Sequence, residues 1–293
     1  MDYKPVEQSI SDATGRRFKV LSASSVSGGC INQCFVLDGE DERFFLKRNS
    51  SSHRDMLTAE ARALETLIDC RSLRAPTPIA SGEDDMHSWL VLEYLDLVSP
   101  APNTSALLGE GLARLHQNSA DRFGWDQNNF IGTTIQVNNW TADWVSFYTR
   151  QRLGFQLELA KSNGAEANLV DAGQRLMEQT HKLFSSYKPV PSLLHGDLWA
   201  GNWGASPNGK PVIFDPAAYY GDREADLAMT ELFGGFDDRF YQSYRGTWDI
   251  DPGYTTRKVL YNLYHILNHF NLFGGGYAAQ ARDMMEQLNV EAS

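Results

Sequence analysis

The sequence is short of cysteine. It holds three, Cys30, Cys34 and Cys70, an odd number with no pair at metal-ligand spacing. This argues against both a disulfide framework and a zinc site. Long apolar runs are missing too: stretches such as Trp89–Leu92 fall far short of the roughly 20 residues that span a bilayer. The opening stretch MDYKPVEQSI lacks the basic-then-apolar layout of a secretory leader. Positive charge is in deficit, with 26 Lys and Arg against 37 Asp and Glu, a formal net charge of −11. Such a surface repels phosphate backbones, so nucleic acid is not an expected partner. Internal repeats and low-complexity tracts are absent as well. A cytoplasmic protein with no membrane association is the expectation.

What is present fits a globular enzyme. The chain has 293 residues, 42% of them hydrophobic. At this length a chain buries roughly three quarters of the surface it exposes when unfolded. A short helix is expected after Lys4, stopped by Gly15, followed by β-like stretches at Phe18–Ser24, Cys34–Leu37 and Arg43–Lys47. Met56, Ala59, Ala63, Leu64 and Leu67 recur at helical spacing and predict a helix over His53–Asp69. Short strands follow near Ile79 and over Ser88–Tyr94. Asp96–Thr104, with two prolines and no period, reads as a linker. Beyond it helices dominate, at Ser105–Gln117, Thr141–Ala160, Glu166–Ser186 and Thr255–Phe270, interrupted by a β-rich stretch over Pro191–Phe214. The pattern predicts an α+β protein: a small β-rich N-terminal lobe with one main helix, residues 1–95, and a larger, mostly helical C-terminal lobe, residues 96–293. A cleft between the lobes is the expected ligand site.

One string carries chemistry: His195-Gly-Asp197-Leu-Trp-Ala-Gly-Asn202. Phosphoryl transfer to a hydroxyl needs a carboxylate to orient the acceptor and take its proton, and oxygen ligands for magnesium on the nucleotide phosphates. Asp197 and Asn202, five residues apart, supply both from one loop. Val212-Ile-Phe-Asp215 then reads as a short strand ending in a second metal ligand. A lone His-Gly-Asp is as readily a capped turn; Asn202 and Asp215 tip the balance. His195 itself reads as a residue that packs behind the loop.

The N-terminal part matches. Gly28-Gly29 lies between two strands and can turn backbone amides toward phosphates, though alone such a pair is more often a plain hairpin turn. Lys47 ends a strand and can pair with the α- and β-phosphates, with Glu60 on the next helix to hold it. Alone, Lys47 would be a solvated strand end and Glu60 a solvated helix face. Their order (glycine loop, strand lysine, helix glutamate, Asp/Asn loop, strand Asp) points to ATP and magnesium.

That order resembles the small-molecule branch of the protein-kinase-like superfamily, and the chain is similar nearly end to end to the fructosamine kinase (ketosamine 3-kinase) family. The resemblance rests on Gly28-Gly-Cys-Ile-Asn32, Leu90-Val-Leu-Glu-Tyr94, Leu112-Ala-Arg-Leu-His116, Leu193-Leu-His-Gly-Asp-Leu-Trp-Ala-Gly-Asn202, Val212-Ile-Phe-Asp-Pro-Ala217 and Tyr220-Gly-Asp-Arg-Glu-Ala-Asp-Leu-Ala-Met229. It departs from protein kinases in having only Gly28-Gly29 of the glycine loop and no recognisable activation loop, which argues against phosphorylation of protein hydroxyls.

The resemblance implies a two-lobed protein-kinase-like fold. It also implies transfer of the γ-phosphate of ATP to the 3-hydroxyl of a sugar held on an amine as a ketosamine; the phosphorylated sugar then leaves the amine. The partner would be a small ketosamine or a glycated amine, peptide or protein. A kinase of another alcohol, such as an aminoglycoside or choline, is the alternative, and a nucleotide-binding pseudokinase a more remote one.

Glu93, Tyr94 and Leu95 match the segment whose backbone binds adenine. Trp199, inside the catalytic loop, reads as a sugar-stacking residue or as core. Tyr220 and Glu224 read as lining the acceptor pocket or as solvated loop residues. Asp226 reads as fixing the catalytic loop's backbone, and the aromatic cluster around Trp144 as packing. Cys30 reads either as a small half-buried side chain or as a redox-sensitive thiol in the phosphate loop. A monomer, or a homodimer linked through an oxidised cysteine, is the expected state.

Overall fold

A computed structural model describes residues 3–26 and 31–293. Two compact units emerge: Met1–Thr104 with Trp203–Pro216, and Ser105–Asn202 with Ala217–Ser293. The first unit runs past Leu95 to Thr104 and takes in a second, distant stretch of chain.

The first unit opens with α1 (Lys4–Thr14), whose Pro5 sits in the first turn, where a missing N–H leaves no hydrogen bond unmade. Then come β1 (Ser22–Val26), β2 (Gln33–Asp38), β3 (Arg43–Ser50), α2 (Arg54–Asp69), β4 (Pro78–Glu83) and β5 (His87–Glu93). The five strands form one antiparallel sheet in the order β1-β2-β3-β5-β4. Alternation along β3 divides its side chains. Phe44 and Leu46 join Val6 and Ile10 of α1, with Leu37, Trp89 and Val91, in a buried cluster. Lys47 takes the opposite pleat. Helix α2 buries Met56, Leu57, Ala59, Ala63, Leu64 and Leu67 along one stripe. Each large apolar side chain buried this way contributes roughly 1.5–3 kcal/mol.

The second unit holds α3 (Pro102–His116, from Ser105 onward), the hairpin β6 (Asn129–Ile131) and β7 (Thr134–Gln136), α4 (Trp144–Tyr148), α5 (Phe155–Ser162), α6 (Ala167–Gln179) and β8 (Ser192–Leu194). The chain then supplies the first unit with β9 (Trp203–Ala205) and β10 (Pro211–Ile213), an antiparallel pair. Ile213 N–H donates to the Arg74 carbonyl at 2.9 Å, and Val98 N–H to the Ala205 carbonyl at 2.8 Å. Back in the second unit follow β11 (Tyr219–Gly221), α7 (Glu224–Leu232), α8 (Asp238–Thr247), α9 (Tyr254–Phe273) and α10 (Tyr277–Glu291).

The helix expected over Thr141–Ala160 is two. Asp143 caps α4, accepting from Ser146 N–H at 2.7 Å, and a π-helical turn over Thr149–Gly154 separates α4 from α5. Arg152 in that turn points inward, donating to the Val137 carbonyl at 2.6 Å and Asn138 Oδ1 at 2.7 Å, with its guanidinium 4.2 Å from the Tyr219 ring centre. The aromatics beside it pack: Trp144 stacks on Phe147 at 5.4 Å, and Tyr148 meets Tyr261 edge-on at 5.2 Å.

Candidate active site

In the first unit, the register of β3 sets Lys47 opposite Cys34 on β2 and Leu90 on β5. Its side chain is 5% exposed, yet Nζ meets two carboxylates, Glu60 Oε1 at 2.5 Å and Asp215 Oδ1 at 2.6 Å. Burial alone would lower the lysine's pKa; the Asp215 and Glu60 charges outweigh it and hold the pKa above the ordinary value, so the ammonium stays charged. Glu60 reaches it from the second turn of α2. Asp215 reaches it two residues after β10, with φ 57°, a left-handed conformation sparsely used outside glycine. Strain of this kind concentrates at functional sites.

A cavity of ≈ 550 Å³ in this unit is lined by residues including Tyr3, Val6, Leu46, Arg48, Met86 and Trp89, on the α1 side of the sheet. Lys47, on the other pleat, does not line it.

Glu93 is committed within the unit. Its carboxylate accepts from Arg74 and from Thr77 Oγ1, and its N–H donates to the Thr77 carbonyl at 2.8 Å. Arg43 lies over the Tyr94 ring, 5.8 Å from its centre. Gly28, Gly29 and Cys30 lie outside the described residues. Cys34 and Cys70 are free thiols, and burial pushes the Cys34 pKa up.

In the second unit, β8 pairs with β11, Leu194 opposite Tyr219, and delivers the chain into the His195 loop. His195 is fully buried, in line with a residue that packs behind the loop. Its N–H donates to Asp226 Oδ2 at 2.7 Å, and Gly196 N–H to Asp226 Oδ1 at 2.8 Å. A Cβ at Gly196 would stand 2.1 Å from the Ala217 carbonyl oxygen, and its φ is +84°, so only glycine fits. Asp197 and Asn202 close one short turn: Asn202 Nδ2 donates to the Asp197 carbonyl at 2.9 Å and to Asp197 Oδ2 at 3.2 Å. The loop thus brings together the two residues that the five-residue spacing singled out.

Trp199 is 39% exposed, and its ring covers Gly201, where a Cβ would lie 2.2 Å from ring carbon Cη2. Tyr220 is half-buried with its ring 5.5 Å from Trp125 and 6.0 Å from Trp140. Glu224 departs from expectation. It is fully buried, gripped by Arg257 through Nε at 2.7 Å and Nη2 at 2.9 Å. Burial pushes its pKa up to about 7 against the pull of Arg257. A carboxylate so enclosed offers no surface to an acceptor. Its partner lies 33 residues on, where no local pattern reveals it. Sequence reasoning also gave no role to His116, which is fully buried with Nε2 3.1 Å from Asp226 Oδ2.

Among the described residues no group of three His, Cys, Asp or Glu side chains could hold a metal ion. Among the described residues no helix is long and apolar enough to cross a membrane.

The fructosamine kinase family model matches residues 2–291. The chain is 46% identical over 286 residues to a "Probable ketoamine kinase" of Synechocystis, covering 97% of this chain and 96% of that one. It is 42% identical over 277 residues to the chloroplastic protein-ribulosamine 3-kinase of Oryza sativa subsp. japonica, covering 93% and 80%. The crystal structure of "Putative fructosamine-3-kinase from Haemophilus somnus" superposes with a TM-score of 0.89 at 29% identity, covering 97% and 96%. An aminoglycoside phosphotransferase in ternary complex with ADP and hygromycin B shares the fold alone, with a TM-score of 0.65 at 16% identity over 98% of each chain. The antiparallel-sheet unit and the helical unit are those of a protein-kinase-like fold.

Proposed function

The chain belongs to the fructosamine kinase family, and from that premise we propose that it transfers the γ-phosphoryl group of ATP to a sugar hydroxyl of a ketosamine. The hydroxyl is the one at carbon 3, as in the name of the rice relative, and the phosphorylated sugar then leaves its amine. The observation that carries the reading is Lys47, buried yet held charged between Glu60 and Asp215. A cation fixed this way is ready to neutralise nucleotide phosphates, and Glu60 keeps it aimed. Asp197 orients the acceptor hydroxyl and takes its proton, while Asn202 pins the Asp197 side chain and carbonyl. Most of the rate comes from positioning and electrostatics.

Asp215 and Asn202 offer a carboxylate and an amide oxygen, the hard donors magnesium prefers. Magnesium held by such donors would supply positive charge against the transferring phosphates. The backbone of Gly28 and Gly29 is assigned to the phosphates and that of Glu93–Leu95 to adenine. Trp199 and Tyr220 are assigned to the sugar. Choline and aminoglycosides are less favoured acceptors, because the aminoglycoside enzyme shares only the fold. We place the protein in the cytoplasm.

The test is a panel of fructosamines, ribulosamines, aminoglycosides and choline incubated with ATP and magnesium, with the product located by NMR. Phosphate on carbon 3 of a ketosamine supports the reading. Turnover of choline or an aminoglycoside alone refutes it.

A further inference from the structure

We propose that His116 is a positioning residue for phosphoryl transfer: it fixes Asp226 and, through Asp226, the backbone of the loop that carries Asp197. The proposal rests on the kinase reading above for its rate measurements, and on geometry alone for the arrangement of protons.

His116 is the last residue of α3 and has no solvent exposure. Nδ1 lies 2.8 Å from Tyr244 Oη on α8, and Nε2 lies 3.1 Å from Asp226 Oδ2 on α7. Tyr244 Oη also receives Arg223 Nη1 at 3.1 Å. A guanidinium can only donate, so the tyrosine oxygen accepts from Arg223 and keeps its own proton for His116. Nδ1 is then the acceptor, and Nε2 carries the hydrogen that goes to Asp226. Arg223, Tyr244, His116 and Asp226 form one chain of donors with a single direction, ending on the carboxylate. That carboxylate in turn holds His195 N–H and Gly196 N–H. Arg223 is anchored behind the chain by the Trp248 and Asp249 carbonyls.

The arrangement answers a physical need. Asp226 is 1% exposed, and a carboxylate buried there is costly unless its lone pairs are filled. His116 supplies a side-chain donor, and the loop supplies two backbone amides. With a phenyl ring in place of His116, Asp226 keeps the loop amides but loses a side-chain donor to its Oδ2. Its carboxyl is then easier to protonate, and a protonated carboxyl grips the two amides less well. Burial already favours protonation; His116, His195 and the Gly196 amide hold the pKa below the ordinary carboxylate value. The titratable groups that face Asp226 are His116 from α3, Tyr244 from α8, Tyr219 from β11, His195 from the loop and His265 from α9, with Arg223 and Asp222, just before α7, acting on Tyr244 behind them. Two residues beyond His195 stands Asp197, so slack in these amides moves the catalytic carboxylate directly. Misplacement by about 1 Å costs on the order of 10²-fold in rate.

The experiment compares His116→Phe and His116→Gln in the full chain. Phe fills the space without a donor; Gln places an amide near the position of Nε2. With ATP and a ketosamine, His116→Phe should lose about 10²-fold in kcat. Its KM for ATP should stay near wild type, and the acidic limb of its kcat–pH profile should move to higher pH. His116→Gln should recover most of the lost kcat and the wild-type limb. His116→Phe with wild-type kcat and pH profile, or His116→Gln as impaired as His116→Phe, overturns the proposal. In parallel, ¹⁵N NMR of the wild-type histidines at pH 8 reads the tautomer without any substrate. A hydrogen on Nε2 of His116 is expected, and one on Nδ1 overturns the proposal even if a variant fails to fold. A wild-type chain that phosphorylates no ketosamine yet shows the Nε2 hydrogen would sink the kinase reading and leave the Asp226 arrangement standing.

Discussion

Lys47 Nζ stands 2.6 Å from Asp215 Oδ1 across 168 residues of chain, and 2.5 Å from Glu60 Oε1 across only 13. The near partner is 11% exposed and the far one 47% exposed. Glu60 therefore satisfies the buried ammonium, and Asp215 has a face open to solvent with which to do more. Replacing Asp215 by Asn should leave the fold intact, because Lys47 keeps Glu60. The magnesium concentration for half-maximal activity should rise by an order of magnitude or more, measured by titrating magnesium at fixed ATP. An unchanged magnesium curve would move the metal away from Asp215.

Asp197→Asn is nearly isosteric. Its amide oxygen can still accept from Asn202 Nδ2, so the turn should survive and the melting temperature should stay put. Nucleotide binding, read by calorimetry, should persist. The rate of phosphoryl transfer should fall by about 10²–10⁴-fold, the usual contribution of a general base. Near-wild-type turnover would remove Asp197 from that role.

Gly201→Ala tests the assignment of Trp199 to the sugar. The new Cβ would fall 2.2 Å from Trp199 Cη2, and a ring that is 39% exposed has room to swing away. KM for the ketosamine should rise several-fold while KM for ATP holds. Stacking contributes about 0.5–1.5 kcal/mol in aromatic pairs, so Trp199→Ala should show an effect of the same size. Because both changes act through one ring, adding Gly201→Ala to Trp199→Ala should do nothing more. Additive effects would show that Gly201 acts on something else.

His265 makes stability depend on pH. It is 6% exposed, and burial, with His269 nearby, pushes its pKa down to about 3. The unfolded chain, with a histidine near 6.5, binds a proton that the folded chain refuses. Stability contributed by neutral His265 is therefore present above about pH 6.5 and falls as the pH drops toward 3. Between pH 7 and 5.5 the loss from this group comes to about 1 kcal/mol. Urea unfolding at the two pH values should show that loss in wild type and not in His265→Gln. Equal losses in both chains would assign the pH dependence to other groups.

Several of the residues proposed to act in catalysis are close enough in sequence for their pairing to be read from it. Asp197 and Asn202 share one turn, and the expected α2 placed Glu60 within reach of Lys47 without knowledge of the rest. What was hidden depends on partners far along the chain. Glu224 reads as a solvated loop residue until Arg257 is seen to grip it, and α7 goes unread with it. Helix α8 follows a pair of glycines and carries polar residues throughout, so its buried Phe240 and Tyr244 gave too thin a stripe. The π-helical turn inside Thr141–Ala160 cannot be told from a continuous helix by periodicity, because it is fixed by where Arg152 finds carbonyls. The hairpin of β6 and β7 is only three residues per strand, too short for alternation to register.

The return of residues 203–216 to the first unit sets an order of events on the ribosome. Helix α2 and strand β3 are complete by residue 69, so Lys47 can meet Glu60 early. Residues 105–202 must all be synthesised before Asp215 exists. At about 5–20 residues per second, the first unit waits roughly ten seconds for β9, β10 and the second carboxylate. During that interval Lys47 has one counter-ion, and the backbone of Arg74 and Val98 lacks its neighbours from β9 and β10. The nascent first unit is thus an unfinished body, exposed to chaperones and proteases until most of the chain has emerged. Fragments ending near Thr104 should share that weakness for good.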